Sequence, residues 1–297
     1  MISFLRLVRF SNLLIVLATM LGVALFHARI NNLELYHILN FNFFLFTLST
    51  LLITAAGNII NDYFDIKADK INKPNRLIVS KQIKRRWAIV LHLSFNTLSF
   101  FICIYLSVIF KNSLLILFPF IAINILWFYS WYLKKKLFIG NLAIALLTGL
   151  VPILTAIYLN EIFPFKNQEL FIVYVFAAIA FIQNLVREII KDAEDVEGDK
   201  LIHVESIPIY FGKKITKLIC VCLLLVLPIS TIVELSLTDS IQLFKQESLI
   251  FLPIILSGLI NLFLVIFILF QDFNNLHFYN NVIKITLIAG LSSFYII

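Results

Sequence analysis

Apolar runs of about twenty residues recur along the whole chain, and short polar joints separate them. This pattern predicts helices long enough to cross a hydrocarbon core of ~30 Å. Nine spans are expected, at roughly 10–28, 42–61, 87–110, 113–132, 138–158, 169–190, 214–236, 248–270 and 281–297, the last being short. None of the runs alternates apolar and polar positions as the strands of a membrane barrel do. Two joints are long and polar, 62–86 and 191–213. No linker rich in Pro, Gly or Ser divides the chain, so residues 1–297 read as one domain. The expected fold is an all-α, polytopic membrane bundle of about nine transmembrane helices.

Composition strengthens this reading. The chain is 61% hydrophobic and 14% charged, with a mean hydropathy of +0.98. A soluble domain carries about a quarter charged residues. The first run, "RLVRFSNLLIVLATMLGVALF", is expected to remain as a spanning helix rather than to be cleaved as a signal peptide. Cys103, Cys220 and Cys222 lie in apolar runs without metal-type spacing and read as small buried hydrophobes.

Charge then orients the bundle. With the N-terminus in the cytoplasm, twenty of the 24 Lys and Arg residues fall on the cytoplasmic side. Only Arg29, Lys111, Lys166 and Lys245 fall on the other. Both long polar joints therefore face the cytoplasm. The same placement accounts for the net charge of +7 without any nucleic acid, because basic loops favour anionic lipid headgroups. The expected location is the cell membrane, a bacterial inner membrane, with the active site on its cytoplasmic side.

Each long joint opens with carboxylates. The first, "NDYFDIKAD", holds Asp62, Asp65 and Asp69, and the second, within "REIIKDAEDVEGDK", holds Asp192, Asp195 and Asp199. Both sets are spaced by 3 and then 4, and each member of the second lies 130 residues after its counterpart. This match suggests an internal parallel repeat whose halves each present one cluster to a shared site. On a continuous helix such spacings keep three carboxylates within an arc of about 60°. Asn58 extends the stripe one turn earlier. Like charges on one face repel, and more so near a low-dielectric edge, so a cation should offset them. Hard oxygens without Cys or His suit Mg²⁺, which keeps waters and binds a few carboxylates together with substrate phosphates. Two facing clusters are expected to hold Mg²⁺ ions that clamp a diphosphate. Solvated loop aspartates answering nearby lysines are the alternative for one cluster alone.

These residues resemble a known family. "NDYFDIKAD" followed by "KINKPNR" is similar to the first signature of the UbiA-type intramembrane prenyltransferases, and "DAEDVEGD" to the second. "FYSWYLKKKLFIGN" and "RLVRFSN" resemble two further family segments, so the likeness spans nearly the whole chain. It implies a helical bundle open sideways to the bilayer, with Mg²⁺ as cofactor. It implies transfer of a polyprenyl group from its diphosphate to an acceptor, in contact with membrane lipids. The metal-binding set is then Asp62, Asp65, Asp69, Asp192, Asp195 and Asp199, with Asn58 and Asn61 as further ligands. Asp62, Asp65, Asp195 and Asp199 are expected to be the most direct. Lys73 and Arg76 lead as diphosphate contacts, followed by Arg9, Lys136 and Lys191, and Tyr129 faces the cation or a phosphate.

The second signature most resembles members that geranylgeranylate a glycerol-phosphate lipid precursor such as geranylgeranylglyceryl phosphate. The runner-up is an aromatic acceptor on the way to a quinone, 1,4-dihydroxy-2-naphthoate or 4-hydroxybenzoate. An alcohol acceptor must lose a proton, and Glu188 or one of the aspartates is placed to take it. One departure stands out in "HVESIPIYFGKK": Glu205 replaces a usual base, and His203 stands where Gly is usual. A secondary transporter, the remote alternative, would place its carboxylates near the bilayer midplane rather than at helix ends.

Overall fold

The computed structural model describes residues 2–72, 74, 77–236, 248–270, 273 and 275–295. Its helices are α1 (Ile2–Leu7), α2 (Phe10–Ile30), α3 (Leu35–Ile38), α4 (Phe41–Phe64), α5 (Ile66–Asn72), α6 (Arg85–Phe110) and α7 (Leu114–Trp131). They continue with α8 (Ile139–Asn160), α9 (Asn167–Glu194), α10 (Val196–Leu201), α11 (Ile207–Ser236), α12 (Ser248–Phe270) and α13 (Leu276–Leu291). Among the described residues, α2, α4, α6, α7, α8 and α9 are long and apolar enough to cross a membrane. The protein is an all-α membrane bundle.

Sidedness follows from which faces are apolar. α7 is apolar nearly all round and is the least buried of these six helices, whereas α9 is the most buried. α9 is therefore the central helix, and α6 and α7 turn Phe101, Val108, Leu117 and Phe120 outward toward lipid. One core joins α2, α4, α8 and α9 around Met20, Phe26, Phe46, Tyr158 and Phe176. Tyr158 stacks on Phe46 at 4.6 Å between ring centres. A second core joins α9 to α11, α12 and α13 through Val186, Leu224, Leu264, Tyr279 and Ile283. The interior charge is paired, as a low-dielectric setting demands. Buried Glu169 meets His27 Nδ1 at 2.9 Å, and Asn31 donates to it at 3.0 Å.

Two expectations need correction. The last span was expected at 281–297, but α13 begins at Leu276 and ends at Leu291. The polar stretch "NNLHFYNN" looks like a joint, yet it is helical from Leu276 on, and its polar side chains His277, Asn280 and Asn281 border a polar cavity rather than lipid. The aspartate triplets also do not ride on single unbroken helices. α4 ends at Phe64 and α5 starts at Ile66; α9 ends at Glu194 and α10 starts at Val196. The middle aspartate of each set marks the break, Asp65 at φ −81°, ψ −1° and Asp195 at φ −98°, ψ 7°. A long helix, a kink at an aspartate and a short helix thus occur twice, 130 residues apart, as an internal repeat would have them.

Candidate active site

The two short helices α5 and α10 lie side by side at one end of the bundle, and they bring the aspartate segments together. The Asn72 side chain fastens them. Its Nδ2 donates to the Asp195 carbonyl at 2.9 Å, and its Oδ1 accepts from the Gly198 N–H at 2.8 Å. Gly198 is required by this approach: a Cβ there would stand 2.5 Å from Asn72 Nδ2.

Beneath this clasp lies a polar cavity of about 780 Å³, lined by Asp62, Asp65, Asp69, Asp195 and Asp199. Basic side chains face them. Arg9 Nη2 donates to Asp62 Oδ1 at 2.8 Å, and the Lys134 ammonium donates to Asp65 Oδ2. Asn61 Nδ2 donates to the same Asp65 oxygen at 2.9 Å. Burial works to lower the Lys134 pKa, but Asp65, Tyr129 and Asp199 together outweigh it and the ammonium is held charged well above its ordinary range. Asp199 is 3% exposed; burial pushes its carboxyl up to about 6 against the pull of Lys134, with Asp195 and Asp65 adding repulsion.

An apolar cavity joins the polar one. Arg9, Asn12, Arg187, Lys191 and Lys284 line both, so these five residues mark the junction. From there the apolar cavity runs between α2, α4, α8 and α9 toward Phe46, Thr50, Leu154 and Phe176. Along α4, Asn61 to Phe46 spans about 22 Å at 1.5 Å per residue, and Lys191 to Phe176 on α9 spans the same. Tyr129 and Glu188 border its inner mouth and are 8% and 6% exposed. Glu188 is flanked by Lys191 Nζ at 3.3 Å and Arg187 Nη1 at 3.4 Å.

The expected residues separate accordingly. Asp62, Asp65, Asp69, Asp195, Asp199, Arg9 and Lys191 all meet at the polar cavity. Asp192 does not line it; its Oδ2 accepts from Asn141 Nδ2 at 2.7 Å. Asn58 instead ties the N-terminal arm, donating to the Val8 carbonyl at 3.0 Å. Lys136 stands outside both cavities, its ammonium 5.3 Å from the Tyr132 ring centre, and Lys134 takes the place expected of it. Lys134 lies within the short 3₁₀ turn Leu133–Lys135 and Lys136 just past it in extended backbone, so the two side chains leave on different sides. Lys73 and Arg76 lie outside the described residues. Glu205 lines neither cavity, and its N–H is bonded to the Lys135 carbonyl at 3.0 Å. His203 has φ 56°, in the left-handed region that favours glycine, which explains why Gly suits this place.

The cavity carboxylates fit a hard divalent cation. They supply oxygens only, and the amide oxygen of Asn61 is buried beside them without a hydrogen-bond partner. Among the described residues no three of these groups already converge as a closed metal cage. Mg²⁺ takes few carboxylates and fills its shell with waters and phosphate oxygens.

Comparison with known proteins follows this geometry. The chain is 39% identical over 160 residues to digeranylgeranylglyceryl phosphate synthase of Pyrococcus horikoshii, a match covering 54% of this chain and 53% of that one. The match thus spans about half the relative's length. The synthase of the same name from Methanosphaera stadtmanae is 31% identical over 220 residues, covering 74% of each. Among solved structures, one from work on digeranylgeranylglyceryl phosphate synthase in membranes superposes with a TM-score of 0.68 at 23% identity, covering 98% of this chain and 96% of that one. A UbiA homologue from Archaeoglobus fulgidus, bound to DMAPP and Mg²⁺, superposes with a TM-score of 0.62 at 17% identity, covering 99% and 100%. The model of the UbiA prenyltransferase family matches residues 13–277, and the chain belongs to that family.

Proposed function

We propose that the protein transfers a geranylgeranyl group from its diphosphate to the hydroxyl of geranylgeranylglyceryl phosphate, with Mg²⁺ as cofactor. One observation carries this reading: an apolar cavity opens into a carboxylate-lined polar cavity across a junction of basic residues. Its reach of about 22 Å suits an extended twenty-carbon isoprenoid, whose diphosphate would lie at the junction. The name shared by the Pyrococcus and Methanosphaera relatives supports the acceptor, and the Mg²⁺ in the Archaeoglobus homologue supports the metal.

Asp62, Asp65, Asp69, Asp195 and Asp199 would hold the metal, with Asn61 beside them. Bound Mg²⁺ supplies positive charge to the diphosphate as it leaves. Lys134, Arg9, Arg187 and Lys191 add fixed charge around the same group, in a site already arranged before the reaction begins. The allylic C–O bond breaks and its electron pair departs with the diphosphate. The acceptor oxygen forms the new C–O bond and loses its proton. Glu188, the buried carboxylate at the inner mouth of the apolar cavity, would take that proton. Tyr129 and the apolar walls keep water from the cationic carbon. The membrane is the cell membrane, the inner one in a bacterial cell, and the cavity faces the cytoplasm; the basic residues gathered at that end support this orientation.

The test is a product assay with purified protein, Mg²⁺ and labelled geranylgeranyl diphosphate. Geranylgeranylglyceryl phosphate, 1,4-dihydroxy-2-naphthoate and 4-hydroxybenzoate are offered in parallel. Mass spectrometry should find the diether phosphate. A prenylated aromatic in its place would overturn the acceptor, and flux into proteoliposomes without any covalent product would overturn the reaction.

A further inference from the structure

We propose that the inner face of α13 forms a second anion subsite, which holds the phosphate monoester headgroup of a lipid acceptor apart from the diphosphate. The inference rests on the transfer reading above.

His277, Asn280, Asn281 and Lys284 all line the polar cavity. They are spaced by 3, 1 and 3 and so fall on one face of α13, covering about 10 Å along its axis. Apart from Thr286, which bonds within the helix, the rest of α13 carries no strongly polar side chain: Ile283 and Tyr279 are buried in the second core and Ile285 and Ile288 are turned outward. Lys284 is the ninth of sixteen residues in this helix. A lysine that only sets topology sits at a helix end or reaches out to headgroups; one within the helix and lining a cavity marks a ligand path.

The position of the stripe separates it from the diphosphate wall. Every carboxylate of the polar cavity comes from α4, its kink, α5, the end of α9, the α9–α10 kink or α10. α13 carries none, and together with Arg6 of α1 it forms a cationic and amide wall. The amide oxygen of Asn280 is buried without a hydrogen-bond partner. Buried amides seldom stay unpaired, and a ligand hydroxyl or a protonated phosphate oxygen would satisfy it. Lys284 also lines the apolar cavity beside Leu287, so a headgroup held here brings its glycerol to the junction where the allylic carbon lies. A volume of about 780 Å³ accommodates both anions together.

The experiment measures binding without Mg²⁺ and without prenyl diphosphate, on the full chain in nanodiscs. Geranylgeranylglyceryl phosphate should raise the melting temperature of the wild type. Lys284→Ala and Asn280→Ala should each weaken that lipid at least tenfold, Lys284→Arg should retain it, and Lys136→Ala, outside both cavities, should bind as the wild type does. Geranylgeranylglycerol, which lacks the phosphate, should bind wild type and Lys284→Ala alike. Inorganic phosphate should compete with the lipid in the wild type and not in Lys284→Ala, which separates the phosphate's share from the tail's. Equal lipid affinity in wild type and Lys284→Ala, or equal loss of the phosphate-free lipid, would overturn the subsite. If Lys284→Ala does not fold, Lys284→Gln gives the same comparison. Ether product with Lys284-independent binding contradicts the subsite alone. Lys284-dependent binding without ether product supports the subsite and contradicts the reaction.

Discussion

Asn72 grips the backbone at the Asp195 kink and just beyond it, donating to the Asp195 carbonyl at 2.9 Å and accepting from the Gly198 N–H at 2.8 Å. One amide side chain thereby couples the two aspartate segments, which are more than a hundred residues apart in the chain. Each such bond contributes about 0.5–1.5 kcal/mol. Asn72→Ala is expected to lower the melting temperature slightly and turnover at least tenfold. Gly198→Ala should do the same, because its methyl would meet Asn72 at 2.5 Å. The double variant should be no worse than Asn72→Ala, since the clash disappears with the amide. Thermal melts and turnover of the three variants check this; additive losses would contradict it.

Lys134 and Lys136 stand two residues apart and lead to opposite expectations. Lys134 holds Asp65, and Lys136 lies over Tyr132 outside the cavities. Removing one partner of a buried ion pair leaves the other charge uncompensated, at a cost of about 3–5 kcal/mol when burial is complete. Lys134→Met is therefore expected to lower the melting temperature, and to reduce turnover about a hundredfold because a fixed charge is lost beside the leaving diphosphate. Lys136→Met should stay near wild type. Steady-state rates at saturating prenyl diphosphate decide between them.

His203 adopts φ 56°. A left-handed residue other than glycine costs about 1–2 kcal/mol, and glycine returns part of that through the entropy of the unfolded chain. His203→Gly should therefore stabilise the protein by up to about 1 kcal/mol. Because His203 lines neither cavity, activity should be unchanged. A melting curve and a rate measured on the same preparation check both parts.

Leu154 lines the apolar cavity at its deep end, near Phe46 and Phe176. Leu154→Trp should shorten the usable length. Geranylgeranyl diphosphate should be used at least tenfold less well, with geranyl diphosphate little affected. Competition between the two diphosphates, with products resolved by mass, measures the shift.

Much of this was legible in the chain itself. The apolar runs marked the helices because lipid requires about twenty apolar residues per crossing. The aspartates stood out because charge is scarce at a membrane edge. Three features were not legible. "LKKK" offers adjacent lysines, and only the 3₁₀ turn decides that Lys134 points inward. Asn72 belongs to no charged pattern, and its role depends on a tertiary meeting with Gly198. The polar half of α13 looks like a joint, because a helix facing a polar cavity loses the apolar signature that reveals one facing lipid. Asp192 shows the converse: spacing put it with Asp195 and Asp199, but the kink leaves it on α9, bonded to Asn141.

The central claim is that the two aspartate segments form one site for transfer from a diphosphate. The most direct measurement is Mg²⁺-dependent turnover of Asp65→Ala and Asp195→Ala, purified as folded protein, with geranylgeranyl diphosphate and geranylgeranylglyceryl phosphate. Each variant alone should lose at least a thousandfold while its melting temperature stays close to wild type. Full Mg²⁺-dependent turnover in either variant would contradict the claim.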